Sequence, residues 1–281
     1  MKKILAMVLA MLLVIGSACA ANEINVISRE DGSGTRGAFI ELFGIEQKDA
    51  DGNKVDYTTD EADITNSTSV MMTSVAGNPN AIGYISLGSL NDTVKALNID
   101  GVSASVENIK AGIYTVARPF NIATKAEVSE AAQAFIDFIL SAEGQAVVEE
   151  NGYIAVVEDA PAYAGSSVEG KVVVAGSSSV TPVMEKLKEA YLAINPNAEI
   201  EVQQSDSSTG MNSAIEGVCD IGMASRAVKD SELEAGLVST TIAMDGIAVI
   251  VSNDNAQTDL TADQVRAIYM GEITDWSEVN E

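Results

Sequence analysis

Hydrophobic positions along the chain switch repeatedly between a strand-like and a helix-like spacing. Ile24, Val26 and Ile27 stand among polar neighbours as a short β-type run, and Ala38, Phe39, Leu42 and Phe43 follow at helical spacing. Glu46 to Asp63 is polar and acidic and reads as a surface loop. A helix is expected from Asn66 or Ser67 to Ala76, stopped by Gly77-Asn78-Pro79, and a short buried strand over Ala81–Ser86. Further strands are expected over Thr93–Ile99 and over Tyr114–Arg118, the latter ending at Pro119. Val128, Ala131, Ala132, Phe135, Ile136 and Ile139 share one face of a helix over Glu127–Leu140. One more helical turn reaches toward Glu150, and Tyr153–Val157 reads as a strand.

Glu158 to Glu169 is small, polar and aperiodic, and reads as a linker. From Lys171 the pattern restarts with the strand VVVA, then a helix whose Val180, Val183, Met184, Leu187, Ala190, Tyr191 and Ile194 share a face. Pro182 falls in that helix's first turn, where a missing N–H costs nothing. A strand over Glu199–Gln203, a helix through Ile215 and a strand edge over Asp220–Arg226 follow. Leu237–Ser252 is β-rich but broken at Asp245-Gly246, and Leu260–Tyr269 is an amphipathic helix. This alternation predicts an α/β architecture with mainly parallel sheets.

The candidate chemistry lies at three strand-to-helix turns. Asp31-Gly32-Ser33-Gly34-Thr35, Gly176-Ser177-Ser178-Ser179 and Ser205-Asp206-Ser207-Ser208-Thr209-Gly210 each join hydroxyls and glycine to a helix start. Glycine lets backbone N–H groups approach a ligand, and a helix N-terminus leaves amides unpaired with partial positive charge. Arg29 adds a planar fork suited to a tetrahedral oxyanion, and Ser225-Arg226 supplies a further hydroxyl and guanidinium. The same turns also read as ordinary capped helices. Of five arginines, Arg29, Arg36 and Arg226 fall in these segments of a chain with 41 acidic residues, and that placement favours an anion site.

Composition narrows the classes. The net charge of −25 argues against nucleic-acid binding. Histidine is absent, which removes the commonest general base and metal ligand, and no metal-ligand cluster stands out. A hydrolase of phosphate esters is therefore disfavoured against a binding protein, and neither a cofactor nor a metal is expected. Lys2 and Lys3, the apolar run Ile4–Ile15 and Ala18-Cys19-Ala20 read as a secretory signal over residues 1–20, with a lipid anchor on Cys19 the weaker alternative. Cys219 is then a lone, buried thiol.

The motifs GSSSVTP (Gly176–Pro182), DIGMASR (Asp220–Arg226), MDGIAV (Met244–Val249), LTADQVRAIYMGEITDW (Leu260–Trp276) and the Ser28–Phe39 stretch together resemble the secreted phosphate-binding proteins of bacterial phosphate ABC transporters. The resemblance implies two α/β lobes that close about a hinge on inorganic phosphate, with a membrane permease as partner. It also implies ligand contacts from Ser178, Ser179 and Ser208 on one lobe, and from Arg29, Ser33, Gly34 and Thr35 on the other. The order of the blocks differs from that of the family, where GSSSVTP comes first and ITDW runs into SREDGSGT, so the chain reads as a circular permutation. One lobe is then expected to be continuous over 121–251, containing the linker 158–169, and the other split between 22–119 and 253–281. Arg226 stands where some members carry the carboxylate that accepts a phosphate proton, which leaves Asp206 and Asp31 as candidate acceptors. Another oxyanion as ligand, or a secreted scaffold that binds nothing, are the alternatives.

Overall fold

The computed structural model describes residues 22–280; the expected signal segment and Cys19 lie outside them. The chain opens with β1 (Asn25–Arg29) and α1 (Gly34–Leu42), a small hairpin of β2 (Glu46–Lys48) and β3 (Lys54–Asp56), then β4 (Asp63–Thr65), α2 (Thr68–Ala76) and β5 (Ala81–Ser86). Short strands β6 (Lys95–Ala96) and β7 (Asn98–Ile99) and helix α3 (Val106–Lys110) lead to β8 (Ala117–Lys125). Helices α4 (Glu130–Ile139) and α5 (Ala142–Glu150) are followed by β9 (Gly170–Ser177), α6 (Thr181–Ile194), β10 (Ala198–Ser205), α7 (Ser207–Glu216), β11 (Ile221–Ala224) and α8 (Asp230–Glu234). The long β12 (Leu237–Val251), β13 (Asp259–Leu260) and α9 (Ala262–Tyr269) complete the regular structure.

Eight strands run in the order β10-β9-β11-β8-β12-β5-β1-β4, with β6 also paired to β12. The two wings are parallel, β9 with β10 and β11, and β1 with β4 and β5. The centre is antiparallel, so the sheet is mixed rather than mainly parallel. β12 joins the halves. Leu237–Gly246 pairs with β8, and Ile247–Val251 pairs with β5.

Both faces of each half are buried, and the side chains sort by the two-residue period of a strand. In one half Val26, Ile82, Tyr84, Ile247 and Val249 meet α1 and α9 on one face, while Ile27, Ala81, Ile85, Ala248 and Ile250 meet Met71 and Val75 of α2 on the other. In the second half Phe120, Ile122, Val172, Val174 and Ile221 pack with α4 and α6, and Ala123, Ala175 and Ala224 with Met211 and Ala214 of α7. Trp276 and the α9 residues Val265, Ile268 and Tyr269 share one cluster with Ile24. Within β12, Ile242 and Ala243 pack in the cluster of Phe120, while Ile247, Val249 and Val251 pack in that of Ile24.

Three local expectations are corrected. The 46–63 segment contains a hairpin and reaches β4, which pairs with β1. β8 runs through Pro119 instead of ending there. Proline has no N–H to give its neighbour, and opposite it both Met244 backbone groups bond Ile154 at 2.9 Å. That single bridge is what the expected strand at Tyr153–Val157 amounts to. The linker carries no regular element, yet Tyr163 packs edge-on against Phe138 and Tyr191.

Candidate functional site

Four helix starts meet where the two lobes face each other. Ser33 caps α1, accepting from Arg36 N–H, and places Gly34 and Thr35 in its first turn. Ser67 caps α2 and brings Thr68 to the same place. Ser177, Ser178 and Ser179 precede α6, and Asp206 caps α7, whose first residue is Ser207. Each start has amides without partners inside its own helix and presents the positive end of a helix dipole.

The side chains there form one buried hydroxyl cluster. Thr35 Oγ1 lies 2.8 Å from Ser179 Oγ and 3.3 Å from Ser225 Oγ. Thr68 Oγ1 is 3.2 Å from Ser179 Oγ, and its N–H approaches Ser178 Oγ at 3.4 Å. Ser177 donates to Ser225 Oγ at 3.0 Å, and Ser207 Oγ accepts the Ser225 N–H at 3.1 Å. All these hydroxyl residues are buried. Arg29, also buried, donates to Ser178 Oγ at 3.1 Å while Glu30 holds its Nε and Nη2. At the rim the Ser208 N–H donates to Gly32 O across the lobes at 3.2 Å.

Of the residues expected from sequence, Arg29, Gly34, Thr35, Ser178, Ser179 and Ser225 come together here, while the Ser33 hydroxyl is taken up as the α1 cap. Ser208 does not enter the buried cluster. The cap falls on Asp206, which turns Ser207 inward and leaves Ser208 at the rim with Arg226 Nη2 at 3.3 Å. Arg226 is also set aside, gripped by both oxygens of Glu232 at 2.7 and 2.9 Å. Burial pushes Glu232 up, but the Arg226 hydrogen bonds and charge and the Lys229 N–H outweigh it and hold its carboxyl low. Neither candidate acceptor joins the cluster. Asp31 is 97% exposed and paired with Arg36, and both Asp206 oxygens are taken up by Thr209.

Sequence reading missed Thr68, Ser177, Ser207 and Arg118. Ser177 and Ser207 lie inside recognised turns and Thr68 directly after a recognised helix start, so the three needed only the correct cap register. Arg118 gave no local signal at all, since its partners are distant in sequence. Its guanidinium is buried between Ser225 O, Gly246 O, Asp245 and Thr35 Oγ1. Among the described residues no group of three or more acidic, cysteine or histidine side chains is placed to hold a metal. The arrangement suits a small anion held by hydroxyls, amides and guanidinium groups from both lobes.

A model of the PBP superfamily domain matches residues 16–143 and 161–281. Phosphate-binding protein PstS 2 of Streptococcus agalactiae is 57% identical over 266 residues, 94% of this chain and 90% of its own. The crystal structure of a phosphate ABC transporter phosphate-binding protein from Streptococcus pneumoniae is 45% identical, covers 92% of this chain and 99% of its own, and matches with a TM-score of 0.71. Phosphate-binding protein PstS of Staphylococcus haemolyticus is 38% identical over 112 residues, 37% of this chain and 35% of its own. By similarity along nearly its whole length, in sequence and in fold, the chain belongs to the PstS family of phosphate-binding proteins within the PBP superfamily.

Proposed function

We propose that this protein captures inorganic phosphate outside the cytoplasm, closes its two lobes on the ion and delivers it to the membrane permease of a phosphate ABC transporter. It is a binding protein and not an enzyme. The observation that carries the reading is the convergence of Thr35 and Thr68 from one lobe with Ser178, Ser179 and Ser207 from the other, beside the buried Arg29. Phosphate presents four oxygens in a tetrahedron, and hydroxyls, helix-start amides and a guanidinium are the donors that match it. Among the described residues no helix is long and apolar enough to cross a membrane.

The reading includes a rotated block order. Asn22–Ile24 lies against Thr274–Trp276, with Ile24 N–H on Thr274 O at 2.8 Å and Trp276 N–H on Asn22 O at 3.0 Å. A path that elsewhere runs from ITDW into SREDGSGT has its two sides adjacent here. The short match to the Staphylococcus protein also fits, because an alignment in a single order takes only one block of a rotated pair. The long Streptococcus match supports an order shared with that relative, which disfavours a misassembled reading frame.

Calorimetric titration with phosphate, with sulfate and molybdate as controls, tests the proposal. Saturable one-site binding of phosphate is expected, and absence of both heat and thermal shift would overturn it. A second oxyanion remains in view for one reason. The carboxylates near the cleft are committed elsewhere: Glu30 to Arg29, Asp31 and Asp56 to Arg36, Asp206 to Thr209, Glu232 to Arg226 and Asp245 to Arg118. Among the described residues no unpaired carboxylate is thereby reserved for a protonated anion over sulfate.

A further inference from the structure

β8 and β12 are the two strands that pass between the lobes, and where they cross, Arg118 stands opposite Asp245 and Ala117 opposite Gly246. Arg118 is 2% exposed. Its Nε donates to Ser225 O at 2.9 Å and its Nη1 to Gly246 O at 3.2 Å, with Asp245 Oδ2 2.9 Å from Nη1. Its Nη2 donates to Thr35 Oγ1 at 3.0 Å. One planar group thus touches the first lobe at Ser225, the second at Thr35 and the crossing itself at Gly246.

We propose that Arg118 is an anion-positioning residue, which orients the Thr35 hydroxyl toward the ligand and ties that grip to the hinge. The proposal rests on the phosphate-binding reading. A guanidinium has donors only, so the Thr35 oxygen must accept, and its own proton is left to give. In the cleft that proton has Ser179 and Ser225 oxygens as neighbours. A bound oxyanion is the stronger acceptor and takes it. Burial works against the charge on both Arg118 and Asp245 and remains the larger effect, and each only partly offsets it for the other across the 2.9 Å contact. Gly88 N–H holds the second Asp245 oxygen at 3.2 Å, so the pair is fixed in place. The Ser225 and Thr35 contacts hold together only when the lobes are shut, which makes the guanidinium a bridge specific to the closed form.

The test is a binding cycle on the full chain with Arg118→Lys, Thr35→Val and the double variant, titrated with inorganic phosphate. Lysine keeps the charge beside Asp245 but lacks the fork that reaches Ser225, Gly246 and Thr35 together. Each single change is expected to weaken phosphate roughly 10- to 100-fold, the worth of a hydrogen bond to a charged group. The double variant is expected to lie within about threefold of the weaker single, since both remove one linked contact. A merely structural role would lower the ligand-free melting temperature and give losses that multiply. Should Arg118→Lys fail to fold, Arg118→Met with Asp245→Leu removes both charges together and replaces it in the same cycle. Multiplying losses, or wild-type affinity in the Arg118 variant, would overturn the proposal. Lack of phosphate binding by the unmodified protein would instead refute the functional reading beneath it.

Discussion

A methyl group added at Gly34 is expected to oppose closure of the lobes. Gly34 opens α1 in one lobe, and a Cβ built on it would lie 2.4 Å from Ser207 Oγ, 2.9 Å from Ser225 Oγ and 3.0 Å from Arg226 Cγ. All three atoms belong to the opposite lobe, so Gly34→Ala burdens closure and not the folding of its own helix. Ser207 Oγ is the sole described acceptor for the buried Ser225 N–H, at 3.1 Å. Rotating it away leaves that donor unsatisfied, at about 1–3 kcal/mol. Each 1.4 kcal/mol is tenfold in affinity, so phosphate binding should weaken roughly 10- to 100-fold. Gly37, one turn on in the same helix, is the control, because nothing lies within 4 Å of a Cβ there. Gly37→Ala should keep wild-type affinity and gain up to about 1 kcal/mol of helix stability. Calorimetry supplies the affinities, and the melting temperature of the ligand-free proteins separates folding from closure. Unchanged phosphate affinity in Gly34→Ala, or an equal loss in both variants, would refute the reasoning.

Other measurements follow from the same geometry. Asp206→Asn should leave the phosphate-to-sulfate affinity ratio within about twofold of wild type, because asparagine caps a helix as well as aspartate; a shifted ratio would put that carboxylate at the ligand. The phosphate association rate should hold or rise with inert salt in stopped-flow experiments, since a protein of net charge −25 repels the anion at long range while its local donors are screened less. A steep fall would mean a positively steered site. Glu232 is held below its ordinary value because the Arg226 and Lys229 contacts outweigh burial. Its contribution is therefore present above the unfolded carboxylate range, about pH 4, and is lost as the pH falls through the lower folded value. Melting temperatures should stay level from neutral to about pH 5 and drop below that, with a shallower drop in Glu232→Gln; an identical acid limb in the variant would count against the pairing.

Much of the fold was legible because burial on both faces leaves a repeating signature. Val26 and Ile27, or Val249 and Ile250, are adjacent residues assigned to opposite faces, and short unbroken apolar runs mark such strands. The helix starts were legible through Ser33, Ser67 and Asp206, whose side chains satisfy amides that no other local group can reach. The same property blurred the site, because a serine beside a cap and a serine on a ligand look alike in sequence. Ser207 and Ser208 differ only in which follows the cap directly, and one position turns a buried hydroxyl into a rim one.

What could not be read locally gathers at the crossing of the lobes. Pro119, Asp245 and Gly246 are poor strand residues, and each suggested that a strand stops. In the structure both strands continue through them, since long-range partners replace what the residues lack. Ile154 takes up the Met244 backbone opposite Pro119, Arg118 pairs with Asp245, and at Gly246 a Cβ would lie 2.7 Å from Ile109 Cδ1. A β-branched residue at these positions would satisfy local preference while removing the buried pair and blocking the approach of Ile109. Local rules fail where another demand is served, and here that demand is a passage between lobes that carries a charge to the back of the cleft. Arg118 joins the two problems. The residue hardest to see in the sequence is the one whose guanidinium connects the interrupted strand pattern to the Thr35 hydroxyl.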